Sequence, residues 1–67
     1  MVIFQYQILV GKNEPNTVIW FLNGNQSLGS DLLQILNDFG SQGWEVAGIG
    51  DLGFDSRSEI LLKKQIQ

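Results

Sequence analysis

The chain has 67 residues, of which 43% are hydrophobic, and its seven acidic and four basic side chains give a formal net charge of −3. It contains neither cysteine nor histidine, which excludes disulfides, thiolate metal sites and the commonest zinc ligand. The length favours one domain, residues 1–67, and a net acidic chain whose only basic cluster is Lys63-Lys64 is not expected to bind nucleic acid.

The N-terminal segment is predicted to be a strand, because apolar and polar side chains alternate over residues 2–10. Gln5 and Gln7 interrupt its apolar run, so we expect neither a signal peptide nor a membrane span, and a cytoplasmic location. Pro15 and the flanking asparagines predict a loop over residues 11–16. A second strand, apolar on both faces, is predicted for residues 17–22.

A helix is predicted for residues 28–39, where five apolar side chains recur at intervals of three and four. They are Leu28, Leu32, Ile35, Leu36 and Phe39. The preceding Asn23-Gly24 is a strong hairpin signal, but we interpret it as a strand-to-helix turn because a helical pattern follows. Ser27 or Ser30 is the expected N-cap, and Gly40 is the expected stop.

The last third of the chain predicts a third strand at residues 44–49, a turn region at 51–56 and a fourth strand at 59–66. The predicted fold class is therefore α+β: a four-stranded antiparallel sheet with one helix packed on one face, in the order strand, strand, helix, strand, strand.

Both faces of this sheet carry apolar residues, although a single helix covers only one. The expected helix-facing core is Phe4, Tyr6, Ile8, Trp20, Trp44, Val46, Ile60 and Leu62. The opposite face is expected to carry Ile3, Leu9, Ile19, Phe21, Ala47, Ile49 and Leu61. That second face must be covered by another subunit, a partner or a loop, or be left as an apolar patch.

Residues 36–46, Leu-Asn-Asp-Phe-Gly-Ser-Gln-Gly-Trp-Glu-Val, carry the most distinctive motif of the chain. The run resembles the hallmark of a family of small bacterial and phage proteins, which is family 4177 among the domains of unknown function. Their helix ends in Leu-Asn-x-Leu-Gly and is followed two residues later by Gly-Trp-Glu; here Phe39 replaces the second leucine. The resemblance implies the fold and a bacterial or phage source, and it brings no known activity.

The motif also has a physical interpretation. Gly40 permits the helix to stop, and Gly43 lets the backbone turn back against the sheet. Trp44 is predicted to fill space under the helix end, with a ligand-stacking role as the alternative.

Catalytic and metal-binding patterns are weak. Ser56 and Ser58 lie close to Asp55 and Glu59 in sequence, but such residues are ordinary in turns. Asp51, Asp55 and Glu59 recur at four-residue intervals without the ligand spacing of a calcium loop. We therefore expect no enzyme activity, no metal and no cofactor.

The leading hypothesis is a non-enzymatic interaction module. It self-associates as a homodimer or other homo-oligomer, or docks a protein partner, through a second sheet face that includes Ile19, Phe21, Ile49 and Leu61. The alternative is a small-ligand binder whose pocket forms between subunits and is lined by Phe21, Trp20 or Phe54.

Overall fold

The computed structural model describes residues 1–50 and 58–67, in which one helix packs on a five-stranded antiparallel sheet. The elements are β1 (Phe4–Glu14), β2 (Thr17–Leu22), β3 (Gln26–Gly29), α1 (Leu32–Ser41), β4 (Glu45–Gly50) and β5 (Ser58–Gln65). The strands lie in the order β3-β2-β1-β5-β4, so β1 is central and β3 and β4 are the edges. The α+β class is confirmed, and the prediction of four strands is wrong.

The first difference is the length of β1, which runs through most of the predicted loop at residues 11–16. Glu14 pairs with Thr17, so the turn is reduced to Pro15-Asn16. Gly11 pairs with Trp20, and a Cβ at Gly11 would lie 3.0 Å from two carbons of the Trp20 ring. Because Gly11 has no side chain, the Trp20 indole has room over β1. The pairing of β1 with β2 therefore continues past Gly11, where the sequence pattern predicted a loop.

The second difference is β3, which was missed. Asn23 and Gly24 have φ values of 53° and 83°, and the Asn25 N–H donates to the Leu22 carbonyl at 3.1 Å. Positive φ at both central residues matches a type I′ hairpin turn. The interpretation of Asn23-Gly24 as a strand-to-helix turn is therefore wrong, and Leu28 lies in a strand.

The helix consequently starts four residues later than predicted, at Leu32. Asp31 is the N-cap in place of Ser27 or Ser30, and its carboxylate accepts from the Gln34 N–H at 3.1 Å.

The helix ends at Ser41, so Gly40 is a helical residue and the prediction that it is the stop is wrong. Gly43 takes the left-handed conformation instead, with φ 94°. The N–H groups of Gly43 and Trp44 donate to the carbonyls of Gly40 and Phe39, both at 3.0 Å. These two bonds form a Schellman motif, which satisfies carbonyls left free at the helix end.

The core lies between α1 and the sheet and consists of Leu9, Trp20, Ile35, Trp44, Ile60 and Leu62. Four of the predicted core residues are thus confirmed: Trp20, Trp44, Ile60 and Leu62.

The predicted orientation of β1 is wrong. Its odd-numbered Leu9 faces the helix, while Phe4, Tyr6 and Ile8 lie on the opposite face. The reason is the register, which pairs Leu9 with Leu22 on one side and Ile60 on the other. Directly paired residues share a face, so odd positions of β1 join even positions of its neighbours.

Val46 was also predicted to be buried, and 45% of it is exposed. It stands opposite Leu62, but on edge strand β4.

Within residues 1–50 and 58–67, no helix has the length and hydropathy that crossing a membrane would require.

Candidate interaction surface on the second face

The sheet face opposite α1, here called the second face, is assembled from the three central strands. It comprises Ile8, Val10 and Lys12 of β1, Ile19 and Phe21 of β2, and Glu59 and Leu61 of β5. Their alternation with core residues Leu9, Trp20 and Ile60 sets this orientation.

The centre of the second face is a row of three paired residues. Val10 pairs with Phe21 on one side and with Glu59 on the other. Val10 and Glu59 are each 7% exposed, whereas Phe21 is half-buried. The row is therefore packed at its middle and presents an aromatic ring at its β2 end.

A shallow hollow of about 190 Å³ lies toward the β4 end of this face. It is lined by Ile8, Gly48, Ile49, Gly50, Glu59 and Leu61. The register of β4 against β5 shifts between Val46 and Gly48, which places a bulge at Ala47. The two lining glycines have no side chains to fill the space, so the bulged edge strand leaves an apolar depression with one carboxylate.

Cations cover two of the aromatic rings near this surface. The Lys12 ammonium lies 4.7 Å from the centre of the Phe21 ring, and the Lys63 ammonium lies 5.0 Å from that of Phe4. Lys63 also forms an ion pair with Glu45 at 3.5 Å, with both side chains partly exposed. Such exposed pairs contribute little to folding stability, so the charges matter more for what approaches the face.

The sequence-predicted binding residues are brought together in large part. Ile19, Phe21 and Leu61 share the second face. The prediction that Ile49 belongs to this face is wrong, because it pairs with Ile60 of the helix-side core and directly paired residues share a face. Ile49 is 77% exposed on edge strand β4 and borders the hollow. Trp20 lies in the helix-side core, so the expectation that it lines an intersubunit pocket is wrong. Phe54, the other aromatic proposed for that pocket, lies outside the described residues.

Sequence reasoning missed four members of this surface: Ile8, Val10, Lys12 and Glu59. Ile8 was assigned to the helix-facing core because the register was unknown, Val10 alternates with it on the same side of β1, and Lys12 was placed in a loop. Glu59 carried a usable signal, since it alternates with Ile60 and must face away from the helix if Ile60 faces it.

The motif residues form a second, structural group at the end of α1. Trp44 is 8% exposed, and its ring meets that of Phe39 edge-on, with centroids 6.4 Å apart and an interplanar angle of 88°. This contact joins the residues that flank a Schellman turn, as commonly accompanies that motif. The geometry fits the structural interpretation of Trp44.

A second hollow, of about 170 Å³, lies against α1 and is lined by Leu28, Ile35, Asp38, Phe39 and Gln42. Its carboxylate, Asp38, accepts from the Gln34 side-chain amide at 2.8 Å. Both residues belong to α1, so this hydrogen bond lies on the surface of the helix.

Among the described residues, no three acidic side chains come close enough to hold a metal ion. Asp51, Asp55 and Ser56, which were weighed for cation binding or catalysis, lie outside that part of the chain. Glu59 lies on the second face beside exposed Ser58.

Comparison with family models, curated proteins and solved structures gave no match. The resemblance of residues 36–46 to family 4177 therefore rests on the motif itself.

Proposed function

We propose that this chain is a non-enzymatic interaction module that self-associates or docks a protein partner through the second face. The observation that carries the proposal is an apolar sheet face that no helix of residues 1–50 and 58–67 covers. Phe21, Ile19 and Ile8 are only half-buried there, and 38% of Leu61 is exposed. Contiguous apolar surface of this kind marks interaction sites in small soluble domains.

The size of the domain supports the same proposal. A domain of about 60 residues buries a smaller share of its surface than larger domains do, and oligomerisation is a common reinforcement. Disulfides and histidine–cysteine metal sites are not available to this chain. Burial of the second face would add apolar area at about 25 cal/mol per Å², before the cost of association.

A cytoplasmic location and a bacterial or phage origin belong to the same proposal. The cysteine-free composition is compatible with the first, and the motif at residues 36–46 supports the second.

The direct test is Phe21→Glu, with the molar mass followed by sedimentation over a concentration series. A carboxylate at this position removes the aromatic contact, lies beside Lys12 and must be desolvated in any complex formed through this face, so association should fall at least about tenfold. Leu33→Glu is the matched control, because Leu33 is 70% exposed on α1, away from the second face.

Self-association and docking of a protein partner, the two possibilities in this proposal, are tested by different measurements. If the parent chain is monomeric, co-purification from a bacterial lysate, compared between the parent and Phe21→Glu, tests partner docking. A chain that neither self-associates nor retains any protein through Phe21 would contradict the whole proposal.

The second candidate function is binding of a small ligand in the hollow beside Glu59. The combination of apolar walls and one carboxylate suits a molecule with an apolar body and an amine. At about 190 Å³ the hollow is smaller than the roughly 300–1,000 Å³ usual for ligand sites, so this function needs walls from a second subunit. Chemical shift changes at Ile8 and Leu61 with alkylamines would support it, and their absence up to millimolar concentration would oppose it.

A further inference from the structure

The second face carries one buried anion and one accessible cation. Glu59 is 7% exposed, and the ion pair that the structure shows among the described residues joins Lys63 to Glu45 instead. Although most of this residue is buried, no side-chain oxygen of the described residues is buried without a partner, so the Glu59 carboxylate can still pair with a cation at the surface of the face. The Glu59 side chain lines the hollow, so a cation can approach it from outside the sheet.

Lys12 belongs to the central strand, and its side chain extends away from Glu59, toward β2. Its ammonium lies over Phe21 of β2, whereas Glu59 belongs to β5, and β1 separates the two strands. Val10, which pairs with both Phe21 and Glu59, occupies the position between them. The two opposite charges therefore flank a buried apolar residue on one continuous face.

This arrangement is self-complementary under twofold symmetry. When two sheets pack face to face, a twofold axis parallel to both sheets exchanges positions on either side of it. An axis passing near Val10 brings each Lys12 opposite the other protomer's Glu59, so that both pairs form together. Val10 then lies at the centre of the contact, and Phe21 lies beside it under the Lys12 ammonium, within the part of an interface where aromatic side chains contribute most to binding.

We propose that the occupant of the second face is a second copy of this chain, held in register by reciprocal pairing of Lys12 with the partner's Glu59. The inference rests on the proposed function and adds to it the identity of the partner and the residues that specify the contact.

The mixture of charges on this surface favours a second copy of the chain over a partner whose charges all have one sign. The face and its β4 end carry Lys12 and Lys63 together with Glu45 and Glu59. A uniformly basic or acidic partner would meet like charge at one of these positions, which is unfavourable where water is excluded. A second copy related by the axis near Val10 presents Glu59 to Lys12 and Lys12 to Glu59, so neither position meets a like charge.

The test is a charge exchange between the two positions, read out as the dimer dissociation constant by sedimentation. Lys12→Glu places two like-charged pairs in the symmetric dimer and should weaken it at least about tenfold. The double variant Lys12→Glu/Glu59→Lys restores both pairs with reversed polarity and should dimerise within about threefold of the parent. An equimolar mixture of Lys12→Glu with Glu59→Lys should form heterodimers, since each contact then joins opposite charges.

Two further variants keep the test valid if Glu59→Lys fails to fold. Glu59→Gln preserves the shape and removes the charge, so it should weaken the dimer and reduce the salt dependence of its dissociation constant. Lys64→Glu makes the same change as Lys12→Glu on the opposite face, where the Lys64 ammonium lies over Trp44 at 5.8 Å. This control should leave dimerisation unchanged.

The outcomes separate the two proposals. A parent chain that stays monomeric at high micromolar concentration overturns the inference, although partner docking remains open to the Phe21→Glu comparison. A dimer that Phe21→Glu disrupts, but that Lys12→Glu and Glu59→Gln leave unaffected, overturns the charge pairing and retains the proposed function. Rescue by the double variant and by the mixture supports the inference.

Discussion

At the scale of single residues, Gly40 and Gly43 of the Gly-Ser-Gln-Gly run have different structural roles. Gly43 has φ 94°, a conformation that side-chain-bearing residues rarely adopt, and its N–H closes the helix end. Gly40 is helical, and a Cβ built there would have open space around it. The sequence pattern makes the two positions look alike, and only the backbone angles separate them.

Opposite stability changes are therefore expected from the same substitution at these two glycines. Gly43→Ala should lower the free energy of unfolding by about 1–2 kcal/mol, because alanine is strained in the left-handed conformation. Gly40→Ala should raise it by about 0.5–1 kcal/mol, because alanine favours the helix more than glycine does. Urea denaturation at one protein concentration measures both, and a destabilised Gly40→Ala variant would contradict this assignment.

Gly11 gives a second prediction at this scale. A Cβ there would lie 3.0 Å from the Trp20 ring and from a Val18 methyl, and Trp20 is buried and unable to retreat easily. Gly11→Val should therefore destabilise the fold by about 1–3 kcal/mol through overpacking. Gly48→Val, at a strand position with open space around the Cβ, is the control and should change stability far less. Equal effects would mean that Trp20 does not need the space over Gly11.

At the scale of elements, the start of α1 depends on one carboxylate. Asp31 accepts the Gln34 N–H, which would otherwise lack an intrahelical partner. Asp31→Ala should cost about 1 kcal/mol, while Ser30→Ala should be close to neutral. Thermal melts of the two variants at equal concentration make the comparison. A larger loss of stability for Ser30→Ala than for Asp31→Ala would mean that Ser30 is the N-cap, as the sequence pattern allowed.

Element types were predictable where the pattern has a clear period. The spacing of Leu32, Ile35, Leu36 and Phe39 predicts the helix face directly. The strand at residues 17–22 was predictable from its β-branched and aromatic residue types instead. The short β3 was not predictable in this way, because its four residues include Leu28, which also fits the helical spacing of the residues that follow. The Asn23-Gly24 turn signal was the better guide, and local turn chemistry prevailed over periodicity.

The candidate surface was predictable only in part, for a related reason. Alternation shows which residues of one strand share a face, but it does not show which face of the next strand joins them. Ile19, Phe21 and Leu61 were grouped correctly because β2 and β5 were oriented correctly. Leu9 and Ile8 were exchanged because the register between β1 and its neighbours is set by pairing that the sequence pattern does not reveal.

At the scale of the whole molecule, the fold has two layers, and its shortest dimension is 17 Å against 45 Å for its longest. In the described part of the chain one layer is the helix and the other is the sheet, and the helix covers only one face of the sheet. A third layer would complete the arrangement in which a sheet is covered on both sides.

If that layer is a second copy, the melting temperature should depend on protein concentration. Binding that favours the folded state stabilises it by mass action, so dilution should lower the melting temperature of the parent chain. The melting temperature of Phe21→Glu should be independent of concentration over the same range. Scanning calorimetry at several concentrations tests this, and a parent chain whose melting temperature never changes would contradict stabilisation by self-association.

The central position of β1 has a consequence for how the chain folds. The first strand pairs along its length with the last, from Phe4 opposite Gln65 to Gly11 opposite Ser58. The meander β1-β2-β3 can form from neighbouring segments, but Leu9 stays uncovered on one side until Ile60 arrives beside it. Contacts between segments so distant in sequence slow folding. During synthesis the nascent chain must therefore carry an incomplete sheet, with one edge of β1 unpaired, until β5 emerges. In this interval the chain is most exposed to aggregation and to chaperone capture.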